Sequence, residues 1–539
     1  MKHFAFSLLS GTAVSVAAEK PNVLVIIVDD LNDTIEKMGG HPQARTPNLD
    51  RLMAKGIRFT NAQCSAPLCG PSRASFLTGI SPVTSGYYGY RQQANHWRNF
   101  PALKEARTMM EHFTANGYDV YGTGKVFHGG HEDMRVWRRP DGFKGFGIWP
   151  RQGPWPANGT KQNNGLLELV GHPAMPKAYQ SNGYDVWLPL SEIPVWPADI
   201  EKGIPGYTGW VDRNVDGDKW SDYDFRYVND DDRDLMTDER SARWTADILK
   251  RRHEKPFLVM NGFLKPHVPL VAPKKYFDMF PPEEIQLPPY LEDDCADCVQ
   301  IFFKGNGVAE HFPQLLRAGG VEEWKKFIRA YLACVAFMDE QVGVLLDALE
   351  SGPNAENTIV LFFGDHGWHL GEKDWLYKNS IWEESTRVPF IVSVPGMAAD
   401  AVCEHPVSLL DVYPTLNDLC GISTAPNAGG NGIKLDGHSI RPFLENPVSG
   451  QWSGPEVALT SIHSVNPLEI DQPGVPENQF HTIRSRQWRY TWCFNDEEEL
   501  YNHETDPNEW HNLASNPEYA AIKQQLRTEL MKLIRLERR

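Results

Sequence analysis

Four stretches of this chain are apolar without alternation and stop abruptly at charged residues, and no other feature limits the fold as tightly. They are PNVLVIIVDD (21–30), DVYGTGKVFH (119–128), KPFLVMNGFLKPHVP (255–269) and NTIVLFFGDHGWHLGE (357–372). An unbroken Val/Ile/Leu run marks a strand covered on both faces, as in a parallel sheet lying between helices. Helical patterns separate the runs. TPNLDRLMAKG (46–56) begins at a Thr cap with Pro in the first turn and ends at Gly. Residues 321–351 put Phe327, Tyr331, Val335, Met338, Val342 and Leu345 on one stripe. Strands alternating with helices predict an α/β fold, a large mixed, mainly parallel sheet sandwiched by helices. Ligands of such sheets collect at the carboxyl ends of the strands. The four polar endings, spread from Asp29 to His366, are therefore expected to meet at one site.

The chain has 539 residues, room for a large domain and a smaller one. Near residue 446 the pattern changes to short β-type runs in HTIRSRQWRYTWCF (481–494) and an amphipathic segment at 518–539. This divides the chain into a main domain at 19–446 and a C-terminal α+β subdomain at 447–539. Residues 140–235, rich in Pro, Gly, Trp and Asp, read as long loops over the sheet. The first residues, MKHFAFSLLSGTAVSVAAEK, carry Lys2, an apolar run and Val16-Ala17-Ala18, which reads as a signal peptide over 1–18. Export to the periplasm or beyond follows, with no segment long enough to span a bilayer.

A formal net charge of −17 argues against a nucleic-acid partner, which needs clustered cations. Eight cysteines are too few for a disulfide scaffold of this size. Cys295 and Cys298 in DDCADC read as a local bridge or two surface thiols. Cys64, Cys334 and Cys420 read as core residues.

The polar endings fall into two chemical sets. Asp29, Asp30 and Asp365 with His366 offer three carboxylates and one imidazole, a donor set for a hard divalent cation, Ca²⁺ ahead of Mg²⁺. Arg73, Lys125, His128, His267 and Lys378 are cations or proton donors, as a clamp for a tetrahedral anion requires. Between the two sets stands Cys69, placed by Pro71 at the start of a helix where free N–H groups favour a negative group. On these grounds alone Cys69 is a disulfide partner, a thiolate nucleophile or a cysteine that is modified.

CGPSRASFLTG (69–79) resembles the signature of the type I, formylglycine-dependent sulfatases of the alkaline phosphatase superfamily. PNVLVIIVDDLND, GYDVYGTGKVFH, KPHVP, GDHGWHLGE and ELYNHETDPNEWHNLA resemble further sulfatase blocks in the expected order. Several of them are most similar to iduronate-2-sulfatase and its bacterial relatives acting on sulfated polysaccharides, and His366 stands where the wider family often has Asn. The resemblance implies that a maturation enzyme oxidises Cys69 to formylglycine, whose hydrate attacks sulfur. It implies His267 as acid for the departing sugar oxygen and His128 as base for the second hydroxyl. Asp29, Asp30, Asp365, His366 and the modified Cys69 would hold Ca²⁺. Arg73 and Lys125 would steady the diol, and Lys125, His267 and Lys378 would bind the sulfate.

The expected activity is exo-acting hydrolysis of sulfate esters of a sulfated carbohydrate, with iduronate 2-sulfate favoured. Two alternatives stand beside it: a phosphodiesterase or phosphonate monoester hydrolase of the same superfamily, and a polysaccharide-binding protein with Cys69 unconverted. For the sugar, Trp368 is expected as a wall, and His96, Trp97 and Arg98 as contacts to a uronate carboxylate.

Overall fold

The computed structural model describes residues 20–128, 132–137, 141–145, 187–192, 229–304, 307–464 and 468–536, with backbone alone at Tyr207–Val211 and Asp224–Arg226. The expected leader at 1–18 and most of the loop region at 140–235 lie outside the described residues.

A nine-stranded sheet forms the centre. Its strands are β1 (Asn22–Val28), β2 (Ile57–Gln63), β3 (Asp119–Gly124), β4 (Phe143–Lys144), β5 (Phe257–Phe263), β6 (Thr358–Gly364), β7 (Arg387–Ser393), β8 (Ala401–Cys403) and β9 (Val407–Ser408). Along the sheet they run β8-β2-β7-β6-β1-β5-β3-β4, with β9 also on β2. Only β7 opposes the other strands, so the sheet is mixed and mainly parallel.

The uninterrupted run of β1 has the cause inferred from its sequence. Leu24, Ile26 and Val28 pack under α1 (Pro47–Met53), α4 (Thr237–Leu249) and α5 (His311–Glu350). Val23, Val25 and Ile27 face α2 (Cys69–Thr78), α3 (Met109–Ala115) and α6 (Val412–Leu419) on the other side. The six stripe residues from Phe327 to Leu345 are all buried on α5, whose backbone leaves helical geometry at Gly320 (φ 62°). Thr46 does not cap α1 with its side chain; its Oγ1 accepts the Glu36 N–H at 2.9 Å instead.

β1 lies between β6 and β5, parallel to both, with Val28 opposite Gly364 and Phe263. This register carries the ends of three strands to one level. One further step of the ladder, Asp29 N–H to the Phe263 carbonyl at 3.1 Å and Asp365 N–H to the Val28 carbonyl at 3.0 Å, sets both aspartates at the sheet edge.

The C-terminal part is a four-stranded antiparallel sheet, β10 (Ala458–Ile462), β11 (Phe480–Arg484), β12 (Trp488–Trp492) and β13 (Glu498–Asn502), covered by α7 (Ala520–Leu533). Its other face packs on Trp375, Ile381 and Trp382 of the main domain. A buried ion network ties the two together: Arg489 on β12 bonds Glu383, Glu509 at 2.5 Å and Thr386 at 2.9 Å. All eight cysteines are free. The expectation for Cys295 and Cys298 is corrected: they form neither a bridge nor two surface thiols. Cys298 is buried against Tyr501, and Cys295 is half-buried with its thiol on the Lys373 carbonyl.

Candidate active site

The carboxyl ends of β1, β3, β5 and β6 and the start of α2 do converge. Asp29 and Asp30 follow β1; Asp365 and His366 follow β6; Lys125 follows β3; His267 lies on the loop after β5. Cys69 is the first residue of α2, preceded by Leu68 in extended conformation. The Gly70 N–H, one of the free donors of that helix start, goes to the Gln93 side-chain oxygen at 2.8 Å.

Two glycines let the strand ends meet. Gly124 adopts φ 68°, and a Cβ on Gly262 would lie 2.1 Å from the Lys125 carbonyl. Glycine at these positions lets the turn carrying Lys125 rest directly on β5, with the Lys125 N–H bonded to the Gly262 carbonyl at 2.9 Å. Asp30 has left-handed backbone geometry (φ 60°), held by its N–H on Asp365 Oδ1 at 3.1 Å and its carbonyl on the Tyr331 hydroxyl at 2.8 Å.

The two chemical sets interlock. Arg73, one turn along α2 from Cys69, is almost fully buried and forks between Asp365 (Nε, 3.0 Å) and Asp29 (Nη2, 3.1 Å). Its Nη1 also bonds the Lys125 and Val126 carbonyls. The Lys125 ammonium bonds Asp29. Lys378 reaches from the opposite side, 2.6 Å from Asp30 Oδ1 and 3.1 Å from the Cys69 sulfur. His366 Nε2 stands 3.3 Å from both that sulfur and Asp30 Oδ1, with its Nδ1 on the Gly367 carbonyl at 3.0 Å. His267 brings Nε2 to 3.8 Å from Asp30 Oδ2 and 4.0 Å from Asp29 Oδ2. His128 stands three residues beyond Lys125 on the same turn, half-buried.

Burial drives Asp30 upward, to about 7, with Asp29 and Cys69 adding to it and Lys378 opposing. Burial acts in the same direction on Asp29, but Lys125, His267, Arg73 and Lys378 together hold it well below the usual carboxylate range. The Cys69 thiol is raised, by burial first, against Lys125 and Lys378. A thiol in that state is a poor nucleophile as it stands.

These residues fit a metal ion. Ligand atoms of Asp29, Cys69, Asp365 and His366 lie within 4.8 Å of one another, as do those of Asp29, Asp30, Cys69 and His267. Asp30 Oδ2 is fully buried and has no hydrogen-bond partner among the described residues. A buried carboxylate oxygen left so beside two more carboxylates asks for a cation, and an oxygen-rich set asks for a hard one.

Two sugar-site expectations meet a different arrangement. Trp368 is 1% exposed, stacked on Tyr331 at 6.0 Å and edge-on to Tyr377, with Lys378 Nζ 5.7 Å from its ring. It stands behind Lys378 in the core, supporting the lysine. Arg98 is committed to Asp133 and Glu111, and Trp97 is buried against Phe127 at 5.7 Å. Both are engaged inside the protein, the guanidinium by the buried Asp133 and the part-buried Glu111. His96 caps the short turn they share, its Nδ1 accepting the Arg98 N–H at 3.2 Å.

Sequence reasoning missed three supports of the site. Tyr331 holds Asp30 and Asn32 but reads as one more member of an apolar stripe. Ser72 Oγ donates to the Asp365 carbonyl at 2.5 Å, and its place inside CGPSR was the available signal. Gln93 carries no sequence signal.

A mainly parallel α/β sheet with an oxygen-rich cluster of candidate metal ligands and cations at its strand ends fits a hydrolase of the alkaline phosphatase superfamily. The sequence matches the family model described as Sulfatase over residues 21–422, and that described as N-sulphoglucosamine sulphohydrolase, C-terminal, over 371–536. A sulfatase of Formosa agariphila is 32% identical over 516 residues, covering 95% of this chain and 87% of its own. Iduronate 2-sulfatase of Mus musculus is 26% identical over 593 residues, covering 97% of this chain and 96% of its own. The solved phosphonate monoester hydrolase of Agrobacterium radiobacter shares the fold with a TM-score of 0.64 at 21% identity, covering 96% of each chain. The chain belongs to the sulfatase family, and is a sulfuric ester hydrolase.

Proposed function

We propose that this sulfatase is exported and removes terminal sulfate groups from a sulfated carbohydrate, with a formylglycine made from Cys69 as nucleophile and iduronate 2-sulfate as favoured substrate. The observation that carries the reading is the seat of Cys69. It opens α2 with Lys378 and His366 at 3.1 and 3.3 Å and the three aspartates beneath. Burial raises the thiol pKa, which speaks against a resting thiolate. The hydrated aldehyde would supply an oxygen nucleophile. A bound cation, Ca²⁺ ahead of Mg²⁺ for this donor set, would draw charge from the sulfate oxygens.

The chain's own groups then have distinct tasks. Arg73 fixes Asp29 and Asp365 relative to α2, a positioning task set by its two forks. Lys378 and Lys125 bind sulfate oxygens. His267 donates its Nδ1–H to the Val268 carbonyl at 2.6 Å, which turns Nε2 toward the aspartates and fits it to protonate the departing sugar oxygen. His128 is assigned the proton of the second hydroxyl. Cys69 is 3% exposed, which supports attack on a chain end reaching into a pocket over attack within a long chain. Likeness to iduronate 2-sulfatase along nearly the whole chain supports the sugar class. The apolar pattern of residues 1–18, expected to be a signal peptide, is the ground for proposing export.

The test starts with intact-mass and peptide analysis of natively produced protein, which should find the aldehyde at residue 69. Converted enzyme is then offered defined sulfated oligosaccharides, para-nitrophenyl sulfate and phenylphosphonate monoesters. Sulfate release from a terminal 2-sulfated uronate is expected to be fastest. Faster turnover of the phosphonate ester would overturn the sulfatase reading, and an unconverted thiol in native material would leave a binding protein.

A further inference from the structure

Beside His267 in the same polar ending lies a buried lysine to which no task in the site has been assigned. Lys265 is 1% exposed, yet its ammonium donates to the His267 carbonyl at 3.0 Å and to the Pro269 carbonyl. Its backbone is anchored as well. The N–H groups of Leu264 and Lys265 go to the two carboxylate oxygens of Asp238, each at 2.9 Å, and Asp238 sits in the first turn of α4. The His267 N–H closes the turn on the Leu264 carbonyl at 2.8 Å. The loop bearing the histidine is thus fixed from α4 through Asp238 and from within through the lysine.

We infer that Lys265 is a positioning residue for the sulfate-ester cleavage, aiming His267 at the leaving-group oxygen by clamping the carbonyls of His267 and Pro269. The inference rests on the reading of His267 as the leaving-group acid. One ammonium serves two inward-facing carbonyls here; the Pro269 carbonyl also takes the Val271 N–H at 2.9 Å, so an apolar side chain of the same length chiefly removes the bond to the His267 carbonyl inside the core. The loop would then relax, and Nε2 would lose its aim before the fold is lost. A displacement of this order costs a positioned acid much of its rate contribution.

Leaving-group dependence separates positioning from simple structural support. An ester of an unactivated alcohol, such as a sulfated saccharide, needs protonation on departure; para-nitrophenyl sulfate departs without it. Lys265→Met is expected to lower kcat on the saccharide by roughly 10- to 100-fold and on para-nitrophenyl sulfate by less than about threefold. Lys265→Gln, which keeps a neutral donor, should fall between and serves if the Met variant does not fold. Equal losses on both esters, or none, overturn the inference. His267→Ala is the control. If it shows no leaving-group dependence, the acid role itself fails; if it does and Lys265→Met does not, only the role of Lys265 fails.

Discussion

Lys378 holds its ammonium 3.1 Å from the Cys69 sulfur, at the head of a helix whose Gly70 N–H is already taken by Gln93. The donor facing the reacting position is therefore a side-chain cation, with Asp30 on its other side at 2.6 Å. Burial disfavours charge on this lysine, but Asp30, Cys69 and Asp29 outweigh it and keep it protonated far above neutrality. Lys378→Met in converted enzyme is expected to lower kcat/KM by roughly 100- to 1,000-fold, the cost of losing one preorganised donor to a transition-state oxygen. Steady-state kinetics on an aryl sulfate check it, and a loss below tenfold would contradict it.

Arg73 is the hinge between the nucleophile helix and the sheet. Its fork satisfies one oxygen each of Asp29 and Asp365, and removing it leaves two buried carboxylates facing each other. Breaking one partner out of such a buried network costs about 3–5 kcal/mol. Arg73→Met should lower folding stability by that order in urea denaturation. Arg73→Lys should recover little, because an ammonium cannot bridge both carboxylates and two carbonyls at once.

The strand ends were legible because β1 and β6 are covered on both faces, which removes alternation and makes their charged endings conspicuous. Cys69 was legible because Pro71 marks a helix start. The joint between domains was not: Glu383, Arg484, Arg489 and Glu509 are buried ion-pair partners, yet in sequence they look like ordinary surface charges. The partners of Trp368 and Arg98 were illegible in the same way. Position in the chain places them near the site, but nothing in the sequence shows that Trp368 stacks on Tyr331 or that Arg98 pairs with Asp133.

Chelation should act on stability as well as on turnover. Asp30 Oδ2 has no hydrogen-bond partner among the described residues, and a cation there would offset the burial, reinforced by Asp29, that raises this carboxyl to about 7. EDTA treatment followed by gel filtration is expected to abolish sulfate release and to lower the melting temperature. Ca²⁺ should restore both, and Mg²⁺ less completely. An unchanged melting temperature after verified metal removal would speak against a metal at this cluster.

Glu509 gives the fold an acid limb of its own. Burial would raise its pKa, but Arg489 and then His503 hold it down to about 2 from an ordinary 4.5. A carboxyl depressed in the folded state stabilises fully above the unfolded value, and that contribution fades as pH falls from about 4.5 toward 2. The shift corresponds to about 3 kcal/mol at neutral pH. Glu372 and Glu499 work in the opposite direction, since burial raises both to about 7, so the wild-type curve alone mixes the contributions. The difference between wild type and Glu509→Gln isolates the one group. That difference in urea-unfolding free energy should be largest at pH 7 and shrink steadily below the ordinary carboxylate value. A gap that stays constant down to the acid limit would mean that packing at the domain joint, and not the charge of Glu509, is what the substitution removes.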